Sequence, residues 1–107
     1  SDDMLTVRGI NVFPSQIEHV LKNIPEIGDQ FMVYIDRVNH LDEMTIEVEV
    51  NKHFFSCELS DLARLQNKIV KALHETLTLR ANVQLVEQGS LPRFEGKAKR
   101  VVDRRTI

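Results

Sequence analysis

Residues 91–100 read Leu-Pro-Arg-Phe-Glu-Gly-Lys-Ala-Lys-Arg, and their types and spacing favour a lysine presented on a loop near the end of the chain. Pro92 fixes φ and lacks an N–H donor, while Gly96 admits backbone angles closed to other residues, so Lys97 immediately after it can be thrust outward. An ammonium on a four-carbon stem is a mobile point charge suited to a phosphate or carboxylate oxygen. Exposed loops are where reacting groups tend to sit. The same run also fits a solvated basic tail.

Charge narrows the kind of partner. Residues 93–107 hold six Lys/Arg against two acids, a local +4 on a chain of net charge −2, which leaves −6 on the remainder. A general nucleic-acid binder spreads positive charge over a face, whereas a basic end on an acidic body fits one anionic ligand met at one edge. The four histidines, His19, His40, His53 and His74, show no HExxH pattern and no ligand spacing with the lone Cys57, so no metal site is expected and they read as surface residues. Glu43, Glu47 and Glu49 could mimic paired carboxylates, but Glu47 and Glu49 alternate along a strand's exposed side, where solvated charge is the expected role and acid/base catalysis the rarer one. Phe54 and Phe55 read as plugs at the core edge, because no aromatic-rich strand resembles an RNA-reading surface. Neither a GxxxxGK[ST] loop nor a GxGxxG fingerprint occurs.

At 107 residues and 42% hydrophobic content, the chain is expected to form a single domain around one core. No apolar run approaches the roughly 20 residues that span a bilayer, and Ser1-Asp2-Asp3 lacks the basic region of a signal peptide, so no membrane partner is expected. Cys57 has no partner for an internal disulfide, in keeping with a reducing, cytoplasmic setting.

The elements that must position Lys97 follow from periodicity. Residues 4–8 and 10–13 are short apolar and β-branched runs hinged at Arg8-Gly9, which predicts a protruding hairpin. Pro14 suits a first helical turn, with Ile17, Val20, Leu21 and Ile24 at helical spacing until Pro25 and Gly28 stop them. Residues 31–38 form a strand, a turn follows at 39–42, and Met44, Ile46, Val48 and Val50 then alternate with Thr45, Glu47 and Glu49. A second helix begins near Ser60 as N-cap, with Leu62, Leu65, Ile69, Val70, Leu73 and Leu77 as its apolar stripe. Val83 and Leu85 supply the next strand. With a first strand drawn from residues 4–13, the order gives an α+β fold: a split βαββαβ-like sandwich with a mostly antiparallel sheet, two main helices and a leading hairpin.

The two ends of the chain carry a resemblance. Residues 1–18, Ser-Asp-Asp-Met-Leu-Thr-Val-Arg-Gly-Ile-Asn-Val-Phe-Pro-Ser-Gln-Ile-Glu, resemble the opening of the small C-terminal domain of adenylate-forming acyl-CoA synthetases, and residues 91–100 resemble that domain's terminal lysine loop. The runs at 9–18 and 95–105 are similar to those of phenylacetate-CoA ligases. The resemblance implies a two-step acid-thiol ligase. ATP activates phenylacetate or a similar aryl acid to an acyl-adenylate with release of pyrophosphate, and CoA then forms the thioester and releases AMP. It also implies that the C-terminal domain swings between the steps.

Carried over by motif, Lys97 is the catalytic adenylation lysine and Asp2 the hinge. Arg8 and Gly9 lie near CoA, and Gly96 and Arg100 support the lysine loop. Lys99 lies close by, but the Leu-Pro-Arg-x-x-Gly-Lys register selects Lys97. The family's ribose-contacting arginine would precede Ser1, which implies a domain excised from a longer chain. Asn11 stands where many relatives have arginine, so that contact does not carry over. The resemblance further implies a large N-terminal domain that supplies the ATP and acyl pockets, Mg2+ arriving with ATP, and no activity or bound cofactor for residues 1–107 alone. The competing reading is a stand-alone regulatory or RNA-binding module of ferredoxin-like fold.

Overall fold

The computed structural model describes residues 3–55, 58–92 and 100–105, apart from the side chains of His53 and Phe55. Strands β1 (Leu5–Val7) and β2 (Ile10–Val12) pair antiparallel across a two-residue turn, with Val7 opposite Ile10. Arg8 and Gly9 both take positive φ, 53° and 75°, the conformation whose twist matches the flanking strands. Helix α1 (Pro14–Lys22) starts on proline, and the Gln16 side chain accepts the Phe13 N–H at 2.9 Å. Asn23 closes it by donating from its side chain to the His19 carbonyl, so Gly28 is not the stop but part of the next strand.

Strands β3 (Ile27–Val38) and β4 (Leu41–Val50) form the long central hairpin. Its turn, Asn39-His40, again has both residues at positive φ. β3 begins four residues earlier than alternation suggests, because a bulge between Ile27 and Phe31 interrupts the pattern. A short helix α2 (Lys52–Phe55) precedes α3 (Leu59–Leu77), whose N-cap is Glu58; Ser60 lies inside its first turn. Strand β5 (Asn82–Glu87) runs parallel to β4, and β6 (Val101–Asp103) runs parallel to β3.

The main sheet therefore has the order β5-β4-β3-β6, a mixed sheet around an antiparallel centre, while β1 and β2 form a sheet of their own. The α+β class, the two main helices and the leading hairpin are as expected. The strand expected from residues 4–13 is replaced at the sheet edge by β6, and β4 and β5 are direct neighbours rather than split. The cause is the tight turn: β1 and β2 pair with each other across Arg8-Gly9, satisfy each other's backbone and bury Val7 and Val12 completely.

Helices α1 and α3 cover one face. Ile17, Val20 and Leu21 from α1, and Leu65, Ile69, Leu73 and Leu77 from α3, meet Phe31, Val33, Ile35, Met44, Ile46, Val48 and Val50 in one core, with Phe54 against its margin. Met32 and Leu91 are also buried but stand outside that cluster, on the other side of the sheet.

Candidate functional site

The Arg8-Gly9 turn is held by the far turn of the central hairpin. Asp42 accepts the Arg8 N–H at 3.2 Å, and the Arg8 Nε donates to the Asp42 carbonyl at 2.6 Å. The Asp42 carboxylate also receives Arg37 Nε at 3.0 Å and Arg105 Nη1 at 3.1 Å. Arg105 then donates to the Thr6 carbonyl of β1 at 2.8 Å and to Asp103 at 2.7 and 2.9 Å. One carboxylate thus ties together β1, the β3–β4 turn and the chain just after β6. The Arg8 N–H and the two guanidinium groups hold the Asp42 carboxyl below the usual carboxylate range, and Arg105 does the same for Asp103.

Gly9 is exposed, with nothing within 4 Å of where a Cβ would stand. Arg8 is folded back onto Asp42, so glycine backbone forms the projecting point of the turn.

At the opposite end of β4, Glu49 is 1% exposed and accepts the Leu91 N–H at 2.9 Å. The alternation placed Glu49 on a wet face; the segment around the buried Leu91 covers that face at this end, and the carboxylate serves a backbone donor there. Past the lysine segment, the Arg100 carbonyl accepts the Val33 N–H at 2.7 Å. The Arg100 guanidinium pairs with Glu18 of α1 at 3.1 Å and lies 4.7 Å from the centre of the Phe31 ring. The run expected to present Lys97 is therefore anchored to the sheet on both sides, through Leu91 and through Arg100. Lys97, Gly96, Lys99 and Asp2 lie outside the described residues.

The uncovered sheet face carries Tyr34, whose phenol is pushed up by burial and by its hydrogen bond to Glu47. Arg104 stacks over that ring at 4.6 Å and grips Asp36 through two bonds of 2.7 and 2.8 Å. His19, His40 and His74 are exposed. Among the described residues no group of three or more His, Cys, Asp or Glu could hold a metal, and no helix is long and apolar enough to cross a membrane.

Comparison with known proteins matches residues 9–105 to the family of AMP-binding enzyme C-terminal domains. The chain belongs to that family. Over its full 107 residues this AMP-binding C-terminal domain is 33% identical to a phenylacetate-coenzyme A ligase of Escherichia coli K12, 24% of whose length it spans. The chain spans about a quarter of the curated relatives it matches. A crystal structure of a domain of phenylacetate-coenzyme A ligase from Bacteroides vulgatus is similar at 34% identity and a TM-score of 0.89, covering 98% of this chain and 95% of that one. A 2-hydroxyisobutyryl-CoA ligase with 2-HIB-AMP and CoA, in the thioesterification state, is similar at 32% identity and a TM-score of 0.90, covering 97% of this chain and 22% of that one.

Of the site residues expected from sequence, the structure places Arg8 and Gly9 together at one turn and Arg100 beside β3, just before β6. Asp42, Arg105 and Glu18 were not singled out from sequence, and Glu49 was read there as part of a solvated face. Asp42 stood in a predicted turn and Arg105 in a basic tail, and no local pattern says that residues 63 positions apart will share an ion pair.

Proposed function

We propose that residues 1–107 are the mobile C-terminal domain of an acid-thiol ligase that activates phenylacetate, or a similar aryl acid, with ATP and transfers it to CoA. The observation that carries this reading is that all 107 residues match part of a phenylacetate-coenzyme A ligase, joined to a solved neighbour that holds an acyl-adenylate and CoA. In the first step a carboxylate oxygen attacks the α-phosphate of ATP, forming the acyl-adenylate and expelling pyrophosphate. In the second the CoA sulfur attacks the acyl carbon and AMP leaves.

Lys97 is assigned the first step. Negative charge builds on the α-phosphate as the new bond forms, and an ammonium that also touches the attacking carboxylate supplies electrostatic stabilisation and positioning together. The anchors at Leu91 and Arg100 support that role, since a catalytic cation needs a defined base. Asp2 is assigned the hinge, and the Arg8-Gly9 turn the CoA side, where a bare glycine backbone leaves room for a thiol arm. Mg2+ would come with ATP to a large N-terminal domain.

The acid is the finest part of the reading. Domains with 32–34% identity to this one serve both a phenylacetate and a 2-hydroxyisobutyrate ligase, so the phenylacetate assignment leans on the motif resemblance and on the curated relatives. The RNA-binding alternative loses support from the uncovered sheet face. An RNA-reading sheet offers bare aromatic rings, and here the Tyr34 ring carries Arg104 between the carboxylates of Asp36 and Glu47.

The test is acid-dependent ATP–pyrophosphate exchange by the full-length enzyme over a panel of aryl and short aliphatic acids. Phenylacetate or another aryl acid should give the highest kcat/KM, and residues 1–107 alone should give none. Exchange by the isolated domain, or preference for an aliphatic acid, would overturn the assignment.

A further inference from the structure

The ion cluster at Asp42 is far more elaborate than a three-residue hairpin needs for stability. β1 and β2 are already secured by Val7 and Val12, both fully buried in the core, with Leu5 and Ile10 packed against it. Those contacts reach as far as the last pair before the turn, Val7 opposite Ile10, but leave the orientation of the two turn residues themselves to other groups. Asp42 acts on the tip itself, through the backbone N–H of Arg8, the first residue of the turn. Arg105 acts two residues earlier, on the Thr6 carbonyl of β1.

Both groups are themselves held. Asp42 and Arg105 side chains are only 14% and 15% exposed, Arg37 braces Asp42 from β3, and Asp103 fixes Arg105 from β6. A guanidinium with two carboxylate partners and a carbonyl has little rotational freedom left.

We propose that Asp42, with Arg105 behind it, is a positioning residue that sets the tilt of the Arg8-Gly9 turn and thereby the second, CoA-dependent half-reaction. The inference rests on the assignment of that turn to the CoA side. Asp42 touches no reacting atom; it acts through the Arg8 amide. Loss of the carboxylate charge lets the turn relax, so the thiol arm is bound less well, while adenylation, assigned to Lys97, is spared.

The experiment uses the full-length ligase and measures ATP–pyrophosphate exchange and thioester formation across CoA concentrations for Asp42→Asn and Gly9→Asn. Asparagine tolerates positive φ, so the second variant adds bulk at the turn with little strain. We expect Asp42→Asn to raise the KM for CoA about tenfold while exchange stays within about twofold, a split that a merely structural role would not produce. Gly9→Asn should raise the same KM. If Gly9→Asn raises it and Asp42→Asn does not, the positioning role is overturned and the CoA-side assignment stands. If neither raises it, the CoA-side assignment fails and the inference falls with it. Equal losses in both half-reactions for Asp42→Asn would also overturn the proposal. Should that variant not yield folded enzyme, Arg105→Gln, which leaves Asp42 its bonds from Arg8 and Arg37, is read by the same criteria.

Discussion

The two ends of β4 solve the same problem, fixing a loop with a carboxylate, in opposite ways. At one end Asp42 sits near the surface and gathers arginines from three parts of the chain around an amide it must hold. At the other, Glu49 is enclosed and receives the Leu91 N–H at the entrance to the lysine segment. A carboxylate near water tolerates the loss of a partner, because solvent replaces it; an enclosed one leaves its donor stranded. The Asp42 end is therefore built for orientation and the Glu49 end for attachment.

That contrast can be calibrated against the middle of the same strand. Ile46 has no exposed surface and belongs to the core that the apolar stripes of both helices share, so Ile46→Ala should cost about 2–5 kcal/mol in urea unfolding of residues 1–107. Glu49→Ala should come next, at about 1–3 kcal/mol by the same measurement, since the Leu91 N–H loses its acceptor in a dry site. A cost near zero would mean that water reaches this end, and the two ends would no longer differ.

Asp42→Asn should show a smaller effect with a characteristic pH dependence. The folded-state carboxyl is lowered, chiefly by the Arg8 N–H. Its stabilising contribution is thus complete above the ordinary carboxylate pKa of about 3.9 and is lost as pH falls from there through the lowered folded value. Thermal melts should place the variant below the parent at pH 6–7 and bring the two curves together in strong acid; parallel curves throughout would contradict the account.

The smallest effect expected is a gain. His40 holds φ at 69°, so His40→Gly should stabilise by about 0.5 kcal/mol, the relief of left-handed strain less the extra freedom given to the unfolded chain.

Periodic burial was legible throughout. The stripes of α1 and α3 and the Met44-Ile46-Val48-Val50 face all meet in the core, because one apolar face against one layer of helices is a local property of spacing. The Arg8-Gly9 turn was legible too, since Gly9 needs little context. Glu49 was not. Period two says only that it faces away from Ile46, and what covers that face arrives some forty residues later with Leu91. The edge strand β6 escaped for a related reason: Val101 and Val102 inside a basic stretch gain strand character only from pairing with Val33 and Tyr34. Among site residues, the motif resemblance marked Lys97, Gly9 and Arg100, while the carboxylates that steady their surroundings, Asp42 and Glu18, are marked only by tertiary contact.

The most direct measurement is on the full-length ligase carrying Lys97→Ala: phenylacetate-dependent ATP–pyrophosphate exchange beside thioester formation from supplied acyl-adenylate and CoA. The account predicts that exchange collapses while the second half-reaction persists, as it must if Lys97 serves adenylation on a domain that turns between steps. Persistence of both would return residues 93–107 to the role of a solvated basic tail and contradict the assignment.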